Sequence, residues 1–399
     1  MSVLQHKQIL LGVTGGIAAY KAAFLVRLFI KAGAQVKVIM TPDAEEFVTP
    51  LTLSTLSKNP VYSSFTDEEK NWNNHVELAE WTDLMVIAPA TANTISKMVS
   101  GKSDNMLITT YLSATCPVYV APAMDLDMYK HHTSQHNLEE LSKHNHYIIE
   151  PESGELASGL VGKGRMAEPE HIVQFITSKI QAGLPLNGKK VLITAGPTYE
   201  PIDPVRFIGN HSSGKMGFSL AKEALKLGAN VILIAGPTAL ELSHDNLELI
   251  RVTTAQEMFD ESLAIYEEMD IAIASAAVSD YRLKEVFDQK IKKSGDTLSL
   301  ELVKNPDILN ELGKRKKNQI LVGFALETNN EEDNAKEKLE KKNLDFIVLN
   351  SLQDKDAGFK KDTNKVSIIT KEHSLRFDTK AKEDVAKDIF SYMINTLMN

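Results

Sequence analysis

Ile9-Leu10-Leu11-Gly12-Val13-Thr14-Gly15-Gly16-Ile17-Ala18-Ala19-Tyr20-Lys21 is an apolar run that ends in a threonine and two glycines and opens onto an amphipathic stretch. Ile9 to Val13 reads as a buried strand, and Tyr20 to Ala32 as a helix closed by Gly33. Gln35 to Met40 is then the next strand. Small residues at such a turn let backbone N–H groups and a helix N-terminus face a phosphate. The stretch is neither G-x-G-x-x-G nor a Walker loop, and taken alone it also reads as a tight βα turn.

Working outward, Leu84 to Ala88 and Val118 to Val120 are further strand-like runs. Lys190 to Thr194 then starts the pattern again, with a helix from about Gly217 to Leu227 and a strand at Asn230 to Ala235. Lys31-Ala32-Gly33-Ala34-Gln35-Val36 is echoed by Lys226-Leu227-Gly228-Ala229-Asn230-Val231, and Asp83 to Ala88 by Asp270 to Ser275. Short β-branched runs alternating with longer amphipathic ones indicate βαβ units and parallel sheets. The expected fold is α/β, with two doubly wound, Rossmann-like domains in tandem. Gln181 to Gly188 is rich in breakers, which puts the joint near residue 186 and the domains at 1–185 and 186–399. Lys380 to Asn399 reads as a closing amphipathic helix.

The 399 residues suffice for two or three domains of about 150 each. Lys plus Arg number 44 against 53 Asp plus Glu, a net charge of −9, which argues against a nucleic-acid partner. Cys116 is the one cysteine, so disulfide frameworks and Cys-based metal sites are excluded and a reducing compartment fits. No run reaches the ~18–20 apolar residues that span a bilayer. The N-terminus also lacks the pattern of a secretory signal. These features together lead us to expect a cytoplasmic enzyme with no membrane partner.

In the first half, Asn74-His75-Val76-Glu77-Leu78 places a histidine at a helix start, and Ala88-Pro89-Ala90-Thr91-Ala92-Asn93-Thr94 follows a strand with small and hydroxyl-bearing residues. With Gly15 to Lys21 before them and Ala121-Pro122-Ala123-Met124 after, this order resembles the flavin-dependent cysteine decarboxylases, and residues 1 to about 180 resemble phosphopantothenoylcysteine decarboxylase. The resemblance implies a flavodoxin-like flavoprotein domain. It implies FMN held by Gly15, Gly16, Ile17, Thr41, Thr91, Ala92, Asn93, Thr94 and Met124, and His75 as the catalytic histidine. The flavin would oxidise the thiol carbon toward a thioaldehyde, CO₂ would leave, and the electrons would return to the enethiol. Two positions depart from the family pattern. Asp125 stands where the family has Asn, and Ser158, within Gly154 to Met166, where it has a proton-donating Cys. Asp125 and Ser158 are still the expected substrate-handling residues. A second reading keeps the first half as an FMN-binding module of impaired or partner-dependent activity.

In the second half, Asn210-His211-Ser212-Ser213-Gly214-Lys215-Met216-Gly217 precedes a helix and offers donors to a phosphate. Ala274-Ser275-Ala276 ends a strand, Asp280 follows, and Lys290-Ile291-Lys292-Lys293 is a compact basic patch in an acidic chain. Residues 186 to 399 resemble phosphopantothenate–cysteine ligase. The resemblance implies CTP and Mg²⁺, with an acyl-cytidylate that the cysteine amine opens. Asn210 would stabilise that intermediate and Lys290 would neutralise phosphate charge. Asp280 would hold the metal or the nucleotide. Ala274, Ser275, Ala276, Pro306, Asp307, Ile308, Leu309, Phe324, Lys338 and Lys342 would line the nucleotide site.

Decarboxylase-like then ligase-like is the order of the bifunctional coenzyme A biosynthesis family of bacteria, whose ligase product is the decarboxylase substrate. The resemblance further implies small-molecule substrates (4′-phosphopantothenate, cysteine and CTP). It implies a large homo-oligomer, such as a dodecamer, with trimeric contacts in the first domain and dimeric ones in the second. A nicotinamide dehydrogenase is disfavoured by the lack of G-x-G-x-x-G and of an acidic residue for the ribose.

Overall fold

Side chains alternate along β1 (Gln8–Val13), so Ile9, Leu11 and Val13 enter one core and Leu10 the other, and all four are fully buried. A strand apolar on both faces needs helices on both, which is the parallel α/β solution. The computed structural model describes residues 2–66, 69–292, 297–327, 330–351 and 363–398. Lys293 of the basic patch lies outside the described residues. The chain divides into two units, Met1–Ala182 and Gly183–Asn399.

In the first unit β2 (Gln35–Met40), β3 (Val61–Tyr62), β4 (Leu84–Ala90), β5 (Val118–Pro122) and β6 (Tyr147–Ile148) join β1 in the order β3-β2-β1-β4-β5-β6. Every pairing is parallel. This is the Rossmann order within the doubly wound class; the flavodoxin-like detail of the expectation gives way to it because β3 pairs outside β2. Leu25, Val26 and Phe29 of helix Ala22–Lys31 fill one core with Ile172 and Ile176 of helix Pro169–Ala182. Ile95, Met98, Leu107, Ile108, Leu138 and Leu141 fill the other. β7 (Glu152–Glu155) and β8 (Val161–Arg165) form an antiparallel hairpin outside the sheet.

The second unit repeats the plan. Val191, Ile193 and Ala195 of β9 (Lys190–Ala195) face one core and Leu192 the other. After the hairpin of β10 (Tyr199–Pro201) and β11 (Phe207–Gly209) come β12 (Asn230–Ala235), β13 (Leu247–Arg251), β14 (Ile271–Ala274) and the pair β15 (Tyr281–Leu283) with β16 (Leu302–Lys304). β17 (Ile320–Glu327), β18 (Phe346–Ser351), β19 (Thr363–Asn364), β20 (Val366–Ile369) and β21 (Ser374–Arg376) follow. The sheet runs β13-β12-β9-β14-β17-β18-β20-β21, parallel as far as β18 and antiparallel at β20 and β21. Helix Lys382–Leu397 seals one face with Val385, Ala386, Ile389, Phe390 and Met393, spaced for one helical stripe.

In each sheet the strand order reverses once, between β1 and β4 and between β9 and β14. A doubly wound sheet binds ligands at that reversal, beyond the carboxyl ends of the strands. Both tryptophans, Trp72 and Trp81, lie in the first unit, so their fluorescence reports on it alone. Phe29→Ala is expected to lower that unit's stability by about 3–5 kcal/mol, read as an earlier denaturant midpoint of tryptophan fluorescence.

Candidate functional site

The first reversal is held open by Thr14. Its Oγ1 donates to the Pro89 carbonyl at 2.7 Å and accepts the Thr91 N–H at 3.1 Å. Thr91 caps helix Ala92–Ser100, accepting the Thr94 N–H at 3.4 Å. Gly15 passes so close to Asp43 that a Cβ there would lie 2.5 Å from the Asp43 Cβ and 2.9 Å from its carbonyl carbon.

These loops enclose a cavity of about 1010 Å³. Gly15, Gly16, Ile17, Thr41, Thr91, Ala92, Asn93, Thr94, Met124 and Asp125 all line it. The Thr41 hydroxyl is buried there without a hydrogen-bond partner. Residues that sequence reasoning did not assign add charge: Lys21, Lys97 and Arg165. Lys21 is almost wholly buried and its Nζ donates to the Met166 carbonyl and to Glu168 Oε1, each at 3.0 Å. Burial works to raise the Glu168 pKa, but Lys21 and then Arg165 outweigh it and leave the carboxyl below its ordinary value. The hydrogen bond from Lys97 likewise lowers Asp104. Lys21 stood inside the decisive stretch; its burial depends on Met166 and Glu168, far along the chain.

Asp125 caps helix Leu126–Lys130, its Oδ1 accepting the Leu126 N–H at 2.6 Å. Ser158 is exposed between β7 and β8 and does not line the cavity, although Glu155, Leu156 and Ala157 do. His75 also lies off this cavity. It begins helix His75–Trp81, whose first turn Asn74 caps, and its ring meets Trp72 edge-on at 5.9 Å. Its Nδ1 is buried without a partner.

The second reversal repeats the stitch. Thr194 Oγ1 accepts the Ala276 N–H at 3.3 Å and its carbonyl accepts Ser275 Oγ at 2.6 Å. Helix Lys215–Lys226 starts from Gly214, whose φ of 76° is left-handed. A Cβ on Gly217 would lie 2.4 Å from the Ala195 Cβ, so only glycine lets this helix approach the strand end. A cavity of about 570 Å³ results. Asn210, Ser275, Ala276, Phe324 and Lys338 line it, as do Lys215, Asn350, Asn364 and Lys382. The Asn350 and Asn364 Oδ1 atoms are buried and unpartnered. Nothing local marks Asn350, Asn364 or Lys382; they arrive from late in the chain.

Several expected residues stand away from this second cavity. Ala274, Asp280, Lys290, Pro306, Asp307, Ile308, Leu309 and Lys342 do not line it. Asp307 caps helix Ile308–Arg315 and pairs with Lys342 at 3.0 Å, and Ile308 is core. These jobs in the fold occupy the side chains. Asp280 and Lys290 are exposed, and the Asp280 carbonyl accepts the Asn305 N–H. Among the described residues no group of three His, Cys, Asp or Glu is arranged to hold a metal, and no helix is long and apolar enough to cross a membrane.

Two doubly wound domains, each with a crevice at its reversal, define a protein of the doubly wound α/β class with one ligand crevice in each domain. Residues 2–181 match the Flavoprotein family and residues 186–397 the DNA/pantothenate metabolism flavoprotein C-terminal domain. The chain is 54% identical over 349 residues to a cysteine/cysteine sulfinic acid decarboxylase of an unknown prokaryotic organism, covering 86% of this chain and 97% of that one. It is 47% identical over 391 residues to the coenzyme A biosynthesis bifunctional protein CoaBC of Bacillus subtilis, covering 97% and 96%. The CoaBC of Haemophilus influenzae is 46% identical over 393 residues, with 98% of each chain covered. The chain belongs to the family of coenzyme A biosynthesis bifunctional proteins.

Gly15→Ala must push the Asp43 backbone away from the first crevice. The purified variant is expected to lose most of its visible flavin absorbance, while retention of that band at the wild-type ratio to protein would show that the crevice tolerates the shift.

Proposed function

We propose that the second domain joins 4′-phosphopantothenate to cysteine using CTP, and that the first decarboxylates the product to 4′-phosphopantetheine with FMN. The observation that supports this reading is that Gly15, Gly16, Thr91 to Thr94 and Met124 line the first switch-point crevice, while Asn210, Ser275, Ala276, Phe324 and Lys338 line the second. For the ligase, the 4′-phosphopantothenate carboxylate attacks the α-phosphate of CTP, releasing pyrophosphate. The cysteine amine then displaces CMP. Asn210 donates to the acyl-cytidylate. Lys290 neutralises charge on the phosphates, as preorganised cations do. Asp280, exposed outside the cavity lining, would be the carboxylate for Mg²⁺, which commonly takes one or two protein carboxylates and would supply charge stabilisation to the phosphates.

In the first crevice the residues suit FMN. The Gly15-Gly16 turn and the N-terminus of helix Ala92–Ser100 would offer N–H groups to its phosphate, and Thr41, which lines the same cavity, carries a buried hydroxyl without a partner. When bound, FMN supplies an acceptor and then a donor of an electron pair, which lets CO₂ leave beside the carbon–sulfur centre. Asp125 meets the substrate carboxylate as a donor only when protonated, since two ionised carboxylates ~4 Å apart repel by about 4 kcal/mol at an effective dielectric of 20. Ser158 follows Glu155, Leu156 and Ala157, the hairpin residues that line the cavity, and its hydroxyl is the group this loop would offer to the substrate. His75, off the cavity of its own chain, reaches that of a neighbouring copy in a trimer. Exposed Ile17, Tyr20, Phe24 and Leu51 give such a copy an apolar surface to cover.

The 54%-identical relative favours a second substrate class for this domain, free cysteine or cysteine sulfinic acid. The ligase half argues for the larger substrate, because it makes it.

With 4′-phosphopantothenate, cysteine, CTP and Mg²⁺, mass spectrometry is expected to show 4′-phosphopantetheine. If 4′-phosphopantothenoylcysteine accumulates instead while free cysteine is decarboxylated, the second class is the right one. Asn210→Ala is expected to slow ligation about 10²-fold, as loss of an oxyanion donor does. Mixing a His75→Asn chain with a Gly15→Ala chain is expected to restore decarboxylation that neither shows alone. Failure of that complementation would return His75 to its own chain's site.

A further inference from the structure

We infer that Asp203 is a positioning residue for the ligase reaction, fixing through Ile291 the main chain on which Lys290 stands. The inference rests on the role proposed above for Lys290.

Asp203 lies in the turn between β10 and β11, and its side chain is fully buried. Its Oδ1 accepts the N–H groups of Val205 and Arg206, both at 2.9 Å. Its Oδ2 accepts Arg206 Nε at 2.9 Å, Arg206 Nη2 at 2.5 Å and the N–H of Ile291 at 3.1 Å. Arg206 Nη2 also donates to the Ile291 carbonyl at 2.9 Å. One ion pair therefore holds both backbone polar groups of a residue 88 positions away. The Ile202 carbonyl accepts the Phe287 N–H at 3.0 Å, a second tie to the same segment.

The two oxygens do separable work. Oδ1 closes the turn, as an aspartate or asparagine does in any Asx turn. Oδ2 reaches out to Arg206 and Ile291. Burial opposes the charge on Asp203, but Arg206 and the three backbone N–H groups outweigh it and hold the carboxyl well below its usual range. A turn alone does not require a buried charge.

The hairpin also carries the other ligase residue. Arg206 to Asn210 is four residues of extended chain, about 13 Å. Asn210 is anchored at its far end, where its Nδ2 donates to the Val278 carbonyl at 2.9 Å. The group that meets the acyl-cytidylate and the group that meets the phosphates are thus spaced by one small rigid element. Exposed Lys290 has freedom in its side chain, and the clamp removes it from its backbone.

The test uses the full chain and follows pyrophosphate released from CTP and 4′-phosphopantothenate without cysteine. Asp203→Asn keeps Oδ1 for the turn but points an amide N–H₂ at the Arg206 and Ile291 donors. It is expected to slow pyrophosphate release at least about tenfold at saturating substrates, as small misplacements of a catalytic group do. Lys290→Ala alone is expected to slow it strongly, and Asp203→Asn added to Lys290→Ala to slow it no further, because a positioning residue acts only through the group it positions. Wild-type rates for Asp203→Asn would overturn the inference, as would losses that multiply in the double variant. Wild-type rates for Lys290→Ala would instead sink the role of Lys290 itself, a failure that the single variants separate from the first. If Asp203→Asn does not fold, Arg206→Lys, which gives up the fork and its bond to the Ile291 carbonyl, is expected to show the same loss and the same non-additivity.

Discussion

A threonine at the end of the first strand of each sheet holds that domain's crevice at its working width. Parallel strands on either side of the reversal send their loops in opposite directions, so nothing in the sheet ladder itself fixes the gap between them. Thr14 spans it by bonding both Pro89 and Thr91, and Thr194 by accepting from Ser275 and Ala276. Both threonines are buried. Each hydrogen bond is worth only about 0.5–1.5 kcal/mol net, yet leaving such groups unpaired in the interior costs about 1–3 kcal/mol. The loops that meet ligand are therefore held by groups that have no better partner elsewhere.

The two crevices share this scaffold and differ in the residues that line them. In the first, Gly15 lets the turn pass Asp43, and the N-terminus of the capped helix Ala92–Ser100 faces the cavity. Lys21, which also lines that cavity, is paired with Glu168, so that its buried charge is compensated. In the second, Gly217 lets a helix press onto β9 and brings Ser212 to Met216 into the cavity. The second cavity is roughly half the volume of the first and takes part of its lining from the last helix through Lys382. Close approach of backbone is the common device, and glycine is the residue that permits it.

Much of this was legible in the residues themselves. β1, β2, β4, β5, β9, β12 and β14 followed from short apolar runs, whereas β3, β6, β13, β17, β18, β20 and β21 did not, and the internal echo of Lys31 to Val36 in Lys226 to Val231 announced the duplication. His75 was rightly placed at a helix start because Asn74 is a capping residue. The residues expected to hold the flavin do line one cavity, and they were legible because they sit at strand ends and helix starts, where local order and position coincide. The nucleotide set was less so. Asp307, Ile308 and Lys342 carry polar or apolar groups that suit a ligand, but a cap, a core and an ion pair use them first.

What the sequence determined by itself is whatever depends on a few adjacent residues: the period of each strand and helix, the caps, the glycines that a turn or a close approach demands, and the family those motifs define. The tertiary structure alone decided which distant groups meet. It buried Lys21 against Glu168, brought Asn364 and Lys382 to the second crevice, kept His75 out of the first, and closed Asp203 on Ile291. The reason is physical. Periodicity is written in every few residues, whereas the pairing of buried polar groups is settled only when the sheets have brought far parts of the chain within hydrogen-bonding distance.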